Sequence, residues 1–172
     1  QFEIPQSIMF SEDTTTAFGR QAREVYNTVN NRTTEQSDIR LWWADPTGTQ
    51  TPAGHWIGIM QFVIHKQNLK LDKAVELYAM LGIATADAFI SCWDAKYKYN
   101  LLRPETYIKA YINSSWSTGQ LDVTPPFPEY TSGHSVISSA VAEVLTHWFG
   151  DDIAFLDATE VPYGLPTRQF KS

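Results

Sequence analysis

Residues 72–100 read DKAVELYAMLGIATADAFISCWDAKYKYN, and the period of this stretch decides the fold. Val75, Tyr78, Leu81, Thr85, Ala88, Phe89 and Cys92 step by three and four, which puts them on one face of a helix. Asp72 is placed to cap its start. One further step reaches Lys96, so the apolar face ends on an ammonium group. Pro104 closes the helix by about Leu102, because the residue before a proline is pushed out of the α region.

The same period recurs on both sides. A helix is predicted over Thr14–Asn30, with Phe18, Ala22, Val25, Tyr26 and Val29 inward and with Ser11 and Asp13 as cap residues. A second is predicted over Thr34–Ala44, carrying Ile39, Trp42 and Trp43 on one face, before a loop from Asp45 to Gly54. A third starts near His55 and turns Trp56, Ile59, Met60, Val63 and Ile64 inward. From Asn113 to Tyr130 the chain is rich in Ser, Thr, Gly and Pro, with the stiff run Pro125-Pro126-Phe127-Pro128, and reads as a functional loop. The last helix is predicted over Gly133–Phe149, with Ile137, Ala140, Val141, Val144, Leu145 and Trp148 inward. No repeat and no alternating strand pattern is present, so the expectation is an all-α helical bundle forming one domain over residues 1–172.

Composition sets the outer limits. Apolar residues make up 43% of the 172 and charged residues 19%, enough apolar material for a packed core, which excludes disorder. Thirteen basic against nineteen acidic residues give a net charge of −6, so no nucleic-acid footprint is expected. A single cysteine, Cys92, excludes an internal disulfide framework and any thiolate metal cluster, and on the apolar face it reads as an inert buried thiol. No membrane span is expected, since Thr85 and Asp87 interrupt the most apolar run, Ala79–Ile90. The start at Gln1 reads as a processed terminus.

Two short patterns carry chemistry. Lys96 lies on an apolar face, where an unpaired ammonium is strongly disfavoured, and Arg103 follows just past the helix end, held by Pro104. Both cations make sense if they address one anion, for the guanidinium fork suits tetrahedral oxyanions and lysine adds a compact charge. Ser132-Gly133-His134 opens the last helix, where the first N–H groups and the dipole favour an anion and Gly133 lets it approach the backbone. His134 would supply a proton there. Taken alone, Lys96 reads as a snorkelling lysine paired with a carboxylate, and Ser-Gly-His as a capped helix start; together, in this order, they favour an oxyanion site.

Lys96-x-x-x-x-x-x-Arg103-Pro104 followed by Ser132-Gly133-His134 resembles the first two motifs of the superfamily that joins type-2 phosphatidic acid phosphatases, bacterial acid phosphatases and vanadium-dependent haloperoxidases. The strings Trp93-Asp94-Ala95-Lys96-Tyr97 and Phe127-Pro128-Glu129-Tyr130-Thr131-Ser132-Gly133-His134-Ser135 strengthen the likeness, and Pro52-Ala53-Gly54-His55-Trp56 resembles the soluble haloperoxidase branch. The resemblance implies a helical bundle with a phosphate or vanadate pocket. Lys96 and Arg103 would bind the oxyanion, Ser132 and the Gly133 amide would hydrogen-bond it, and His134 would be the acid–base residue. Thr131 stands where the family commonly has proline. The third motif, Ser-Arg followed by a histidine, matches none of His55, His65, His134 or His147. The expectation is therefore a bundle incomplete at its C-terminus, with that motif beyond Ser172.

The leading expectation is a phosphatase acting through a phosphohistidine without a cofactor, on a small phosphorylated substrate. The alternative is a haloperoxidase that holds vanadate in the same pocket and takes a halide and peroxide. An oxyanion-binding domain without turnover and a purely structural helical domain are the readings from other classes. A periplasmic or secreted location follows from family habit, and self-association through an exposed apolar face is possible for an incomplete bundle. Of the remaining residues, His55 reads as a cap or packing residue, Asp151-Asp152 as a solvated turn, Trp42-Trp43 as core, and His147 as a surface residue about 20 Å along its helix from His134.

Overall fold

The computed structural model describes residues 8–46, 48–119 and 124–171, so the expectations for both chain ends and for the middle of the proline-rich loop lie outside the described residues. The elements are six α-helices, α1 (Ala17–Asn30), α2 (Thr34–Trp42), α3 (Thr51–Lys66), α4 (Leu71–Tyr99), α5 (Pro104–Tyr111) and α6 (Gly133–Phe149), and two short strands, β1 (Phe155–Asp157) and β2 (Arg168–Phe170). The fold class is all-α, as expected. The chain divides into two compact units, Gln1–Thr34 with Cys92–Ser132 and Glu35–Ser91 with Gly133–Ser172.

In the first unit α1 packs on α5. Phe18 and Ala22 meet Leu101, Tyr107, Ile108 and Trp116, all buried, and the Phe18 and Tyr107 rings meet edge to face at 5.0 Å. The helix α1 starts at Ala17, three residues later than expected, and Thr16 caps it by accepting the Gly19 amide at 3.4 Å. Gly19 is required there, because a Cβ would sit 2.4 Å from the Thr14 backbone. The helix α5 was not expected. Pro104 does end the preceding segment, but proline is also pre-organised for the first turn of a new helix, and α5 starts on it.

In the second unit Met60 of α3, Leu77, Leu81 and Ala88 of α4, and Ile137 and Val141 of α6 form one buried cluster. Each such side chain contributes about 1.5–3 kcal/mol of apolar transfer. The start of α6 at Gly133 and its inward face agree with the sequence pattern. The helix α4 differs in one respect. Its buried face runs through Leu77, Leu81, Thr85, Ala88, Cys92 and Lys96, while Val75, expected inside, is 59% exposed. At 100° per residue Val75 lies about 110° from the centre of that face. By length and composition the stretch Leu71–Tyr111 would also suffice for a bilayer span, contrary to expectation: Leu77, Leu81 and Ala88 of α4 enter the core, while only 22% of the apolar window is buried.

The ladder of β1 and β2 is antiparallel, pairing Phe155 with Phe170, Leu156 with Gln169 and Asp157 with Arg168. Strands of three residues are too short to show alternation in a sequence, so this pair was not predicted. Its consequence is local. It fixes Asp157 with no exposed surface, and the stacked Phe155 and Phe170 rings, 5.0 Å apart, brace it.

Candidate functional site

The expected site residues fall in both units, and each group is described by itself. In the first unit Lys96 is 1% exposed. Its Nζ donates to the carbonyl oxygens of Pro128 at 2.8 Å and Glu129 at 3.0 Å. The ammonium also faces the rings of Phe127 and Trp93, at 5.1 and 5.6 Å from their centroids. Among the described residues no carboxylate is bonded to it, so the snorkelling pair that the residue alone would suggest does not form. Burial pulls the Lys96 ammonium below the ordinary lysine value, while Cys92 and Glu129 oppose that fall and Arg103 adds to it.

Arg103 reaches the same loop. Its Nε donates to Thr124 Oγ1 at 3.0 Å, its guanidinium lies 5.3 Å from the Phe127 centroid, and it pairs with Glu129 at 3.2 Å. The stiff Pro125–Pro128 run therefore serves as a platform that Lys96 grips by its carbonyls and Arg103 by a hydroxyl and a ring. Cys92, buried on the same helix, accepts the Thr131 hydroxyl at 3.3 Å, consistent with a packed thiol. Ser132 closes this unit and has interactions of its own.

In the second unit His134 stands in the first turn of α6, directly after Gly133, with its side chain 44% exposed. Its Nε2 lies 3.2 Å from Asp45 Oδ2. The other oxygen of Asp45 lies 2.7 Å from His55 Nδ1, and His55 Nε2 lies 2.8 Å from Asp157 Oδ2. Asp157 is saturated from behind, because the Trp42 indole N–H donates to Oδ2 at 3.0 Å while the Thr159 amide and hydroxyl donate to Oδ1 at 2.9 and 2.6 Å. Trp43 stacks on the His55 ring at 4.6 Å.

The charges in this row follow from the bonds. Burial alone would lower the His55 imidazole, but the hydrogen bonds and charges of Asp157 and Asp45 outweigh it and push its pKa up to about 9. Burial likewise works to raise Asp45 and Asp157; their histidine partners prevail and hold both carboxyls below the usual range. Glu160, 2% exposed nearby, has no such partner for its Oε1, and burial pushes its carboxyl up. Asp45, His55 and Glu160 bring ligand-type atoms within 4.8 Å of one another. Both ring nitrogens of His55 face carboxylate oxygens, so the ring joins Asp45 and Asp157 in one hydrogen-bonded row.

Sequence reasoning missed this row. His55 is not a cap, since α3 begins four residues earlier at Thr51, and it is packed only in the sense of being fully buried. The one signal available was a histidine on an otherwise apolar helix face. His147 is on the surface and Trp42 is in the core, both as read.

A lysine–arginine pair on one loop in the first unit, and a carboxylate-bound histidine at a helix start in the second, are residue types able to meet a small oxyanion. Residues 76–120 and 111–170, together more than half of the chain, match the family model for the VCPO second helical-bundle domain. The chain belongs to that family, within the superfamily of haloperoxidases and acid phosphatases. It is 45% identical to a bacterial vanadium-dependent iodoperoxidase of known crystal structure, with a TM-score of 0.86 over 98% of this chain and 41% of that one. It is also 26% identical over 86 residues to the vanadium chloroperoxidase of Curvularia inaequalis, covering 42% of this chain and 14% of that protein. The chain thus spans less than half the length of either relative.

Proposed function

We propose that the protein carrying this chain is a vanadium-dependent haloperoxidase that oxidises iodide. The observation that carries the reading is the 45% identity to an iodoperoxidase across 98% of the chain, and it moves the haloperoxidase reading ahead of the phosphatase one. In this reading, which rests on the motifs, Lys96, Arg103, Ser132 and the Gly133 amide are the residues that would hold vanadate, and His134 is the one that would exchange protons. The donor chemistry fits a small oxyanion. Lys96 is buried with two of its three N–H groups given to carbonyls and, among the described residues, no carboxylate hydrogen-bonded to it, which suits a cation whose counter-charge is a ligand. Bound vanadate would supply the oxidation of halide by peroxide. The chain's own residues bind and orient it. Lys96 and Arg103 would neutralise its charge, and the N-terminal amides of α6 would add donors. Asp45 holds His134 at Nε2, leaving Nδ1 as the atom that takes and returns a proton. A soluble protein exported from the cytoplasm, free of nucleic acid, is part of the same proposal.

The test uses the protein at its natural length, loaded with orthovanadate and assayed for peroxide-dependent oxidation of iodide, bromide and chloride. Unloaded protein is assayed for phosphomonoester hydrolysis. Vanadate-dependent iodide oxidation that Lys96→Met and His134→Ala each lower by about a hundredfold is expected. Hydrolysis of phosphomonoesters with no halide oxidation would restore the phosphatase reading.

A further inference from the structure

We propose that His55 is a positioning residue for His134 and acts on it through Asp45. The inference rests on the reading of His134 as the proton-exchanging residue, and extends it to groups that no substrate can touch. The argument is one of graded rigidity. His134 is nearly half exposed, and among the described residues its ring is hydrogen-bonded to Asp45. Asp45 is 6% exposed and has a backbone φ of 43°, in the left-handed region that few residues other than glycine and asparagine or aspartate enter. A carboxylate bonded only to an exposed imidazole could turn about its last torsion. Here the turn is blocked, because Oδ1 is held by His55 at 2.7 Å. His55 cannot yield, with no exposed surface, Asp157 on its far nitrogen at 2.8 Å, and the Trp43 ring stacked on its face. Asp157 is in turn pinned by Trp42 and Thr159. Order is handed outward from a dry core to a half-wet histidine, in the way that outer carboxylates orient the histidines of metal and acyl-transfer sites.

The two conservative replacements of histidine separate this role from plain packing. The amide nitrogen of asparagine can stand where Nδ1 stood and keep the bond to Asp45. That of glutamine stands near Nε2, keeps Asp157 and releases Asp45. In the vanadate-loaded protein, His55→Gln is expected to lower kcat for iodide oxidation about 10–100-fold, with vanadate affinity unchanged within about twofold. His55→Asn is expected to return kcat to within about twofold of the parent. In an Asp45→Asn background the difference between the two should vanish, since the messenger is gone. In protein labelled with nitrogen-15 at histidine, the His134 ring signals should move in His55→Gln and stay in place in His55→Asn.

Equal kcat and equal His134 signals in the two variants would overturn the proposal, as would a glutamine penalty that persists in the Asp45→Asn background. If the parent shows no vanadate-dependent oxidation, the functional reading fails, while the His134 ring signals still decide the role of His55. If neither variant folds, the parent spectrum decides. Two His55 N–H signals surviving to about pH 8, with His134 protonated at Nε2, support the row of bonds, since the imidazole titrates only at about 9; a single His55 N–H overturns it.

Discussion

Raising the pH should unfold this protein's second unit more readily, and His55 is the reason. The ring has an ordinary value of 6.5 and is pushed to about 9 between Asp45 and Asp157. Between those two values the folded state keeps a proton that the unfolded chain has lost, so stability falls as pH rises. The stabilisation is fully present below about pH 6.5 and gone once the pH has passed about 9. The interval corresponds to about 3 kcal/mol, a large part of the stability of a small domain. On the acid side the sign reverses. Asp45 and Asp157 are held below the usual carboxylate value of 3.8, so the stability they contribute is present above that value and is lost as pH falls below it, through their lowered folded values. Urea unfolding followed by tryptophan fluorescence, at about pH 6 and about pH 9.5, reads the alkaline arm directly. Trp42 and Trp43, beside the network, are two of the six tryptophans that contribute to the signal. The parent should lose about 3 kcal/mol across the interval, and His55→Asn, lower at the start, should show almost none of that slope. A flat profile in the parent, or the same slope in the variant, would refute the assignment of a buried imidazolium.

Other expectations follow from packing. Gly58→Ala would put a Cβ 2.6 Å from the Cγ2 of Thr159, a residue that holds Asp157, and should cost about 1–3 kcal/mol in thermal unfolding. Trp42→Phe keeps an aromatic ring but removes the donor to Asp157 Oδ2 and leaves a small void at a buried position; a loss of about 2–4 kcal/mol is expected, to be measured by urea titration. Ile137→Ala, in the cluster shared by α3, α4 and α6, should cost about 2–5 kcal/mol by the same titration, with the helical circular dichroism of the folded state intact.

Helices with a full apolar period were legible from the chain alone, because a stripe of three-and-four spacing has few other uses. The start of α6 at Gly133 and the inward position of Lys96 followed from that spacing. Where local signals conflict, the reading went astray. Pro104 both ends one segment and starts α5, and the sequence pattern showed only the first role. Val75 has the right residue type for the core but stands off the face that other helices cover. The three-residue strands were beyond the reach of any periodic argument.

The chain by itself determined the helical class, the family motifs and the residue types able to meet an oxyanion, since each is a matter of local spacing and side-chain chemistry. Only the tertiary structure decided that Asp45, His55 and Asp157 form one row behind His134. Ten residues separate the first pair and 102 the second, and neither distance leaves a mark on the sequence. A charge on His55 could not have been read from its neighbours, because burial and carboxylates push an imidazole in opposite directions. The balance between them is set by contacts that exist only once the chain has folded.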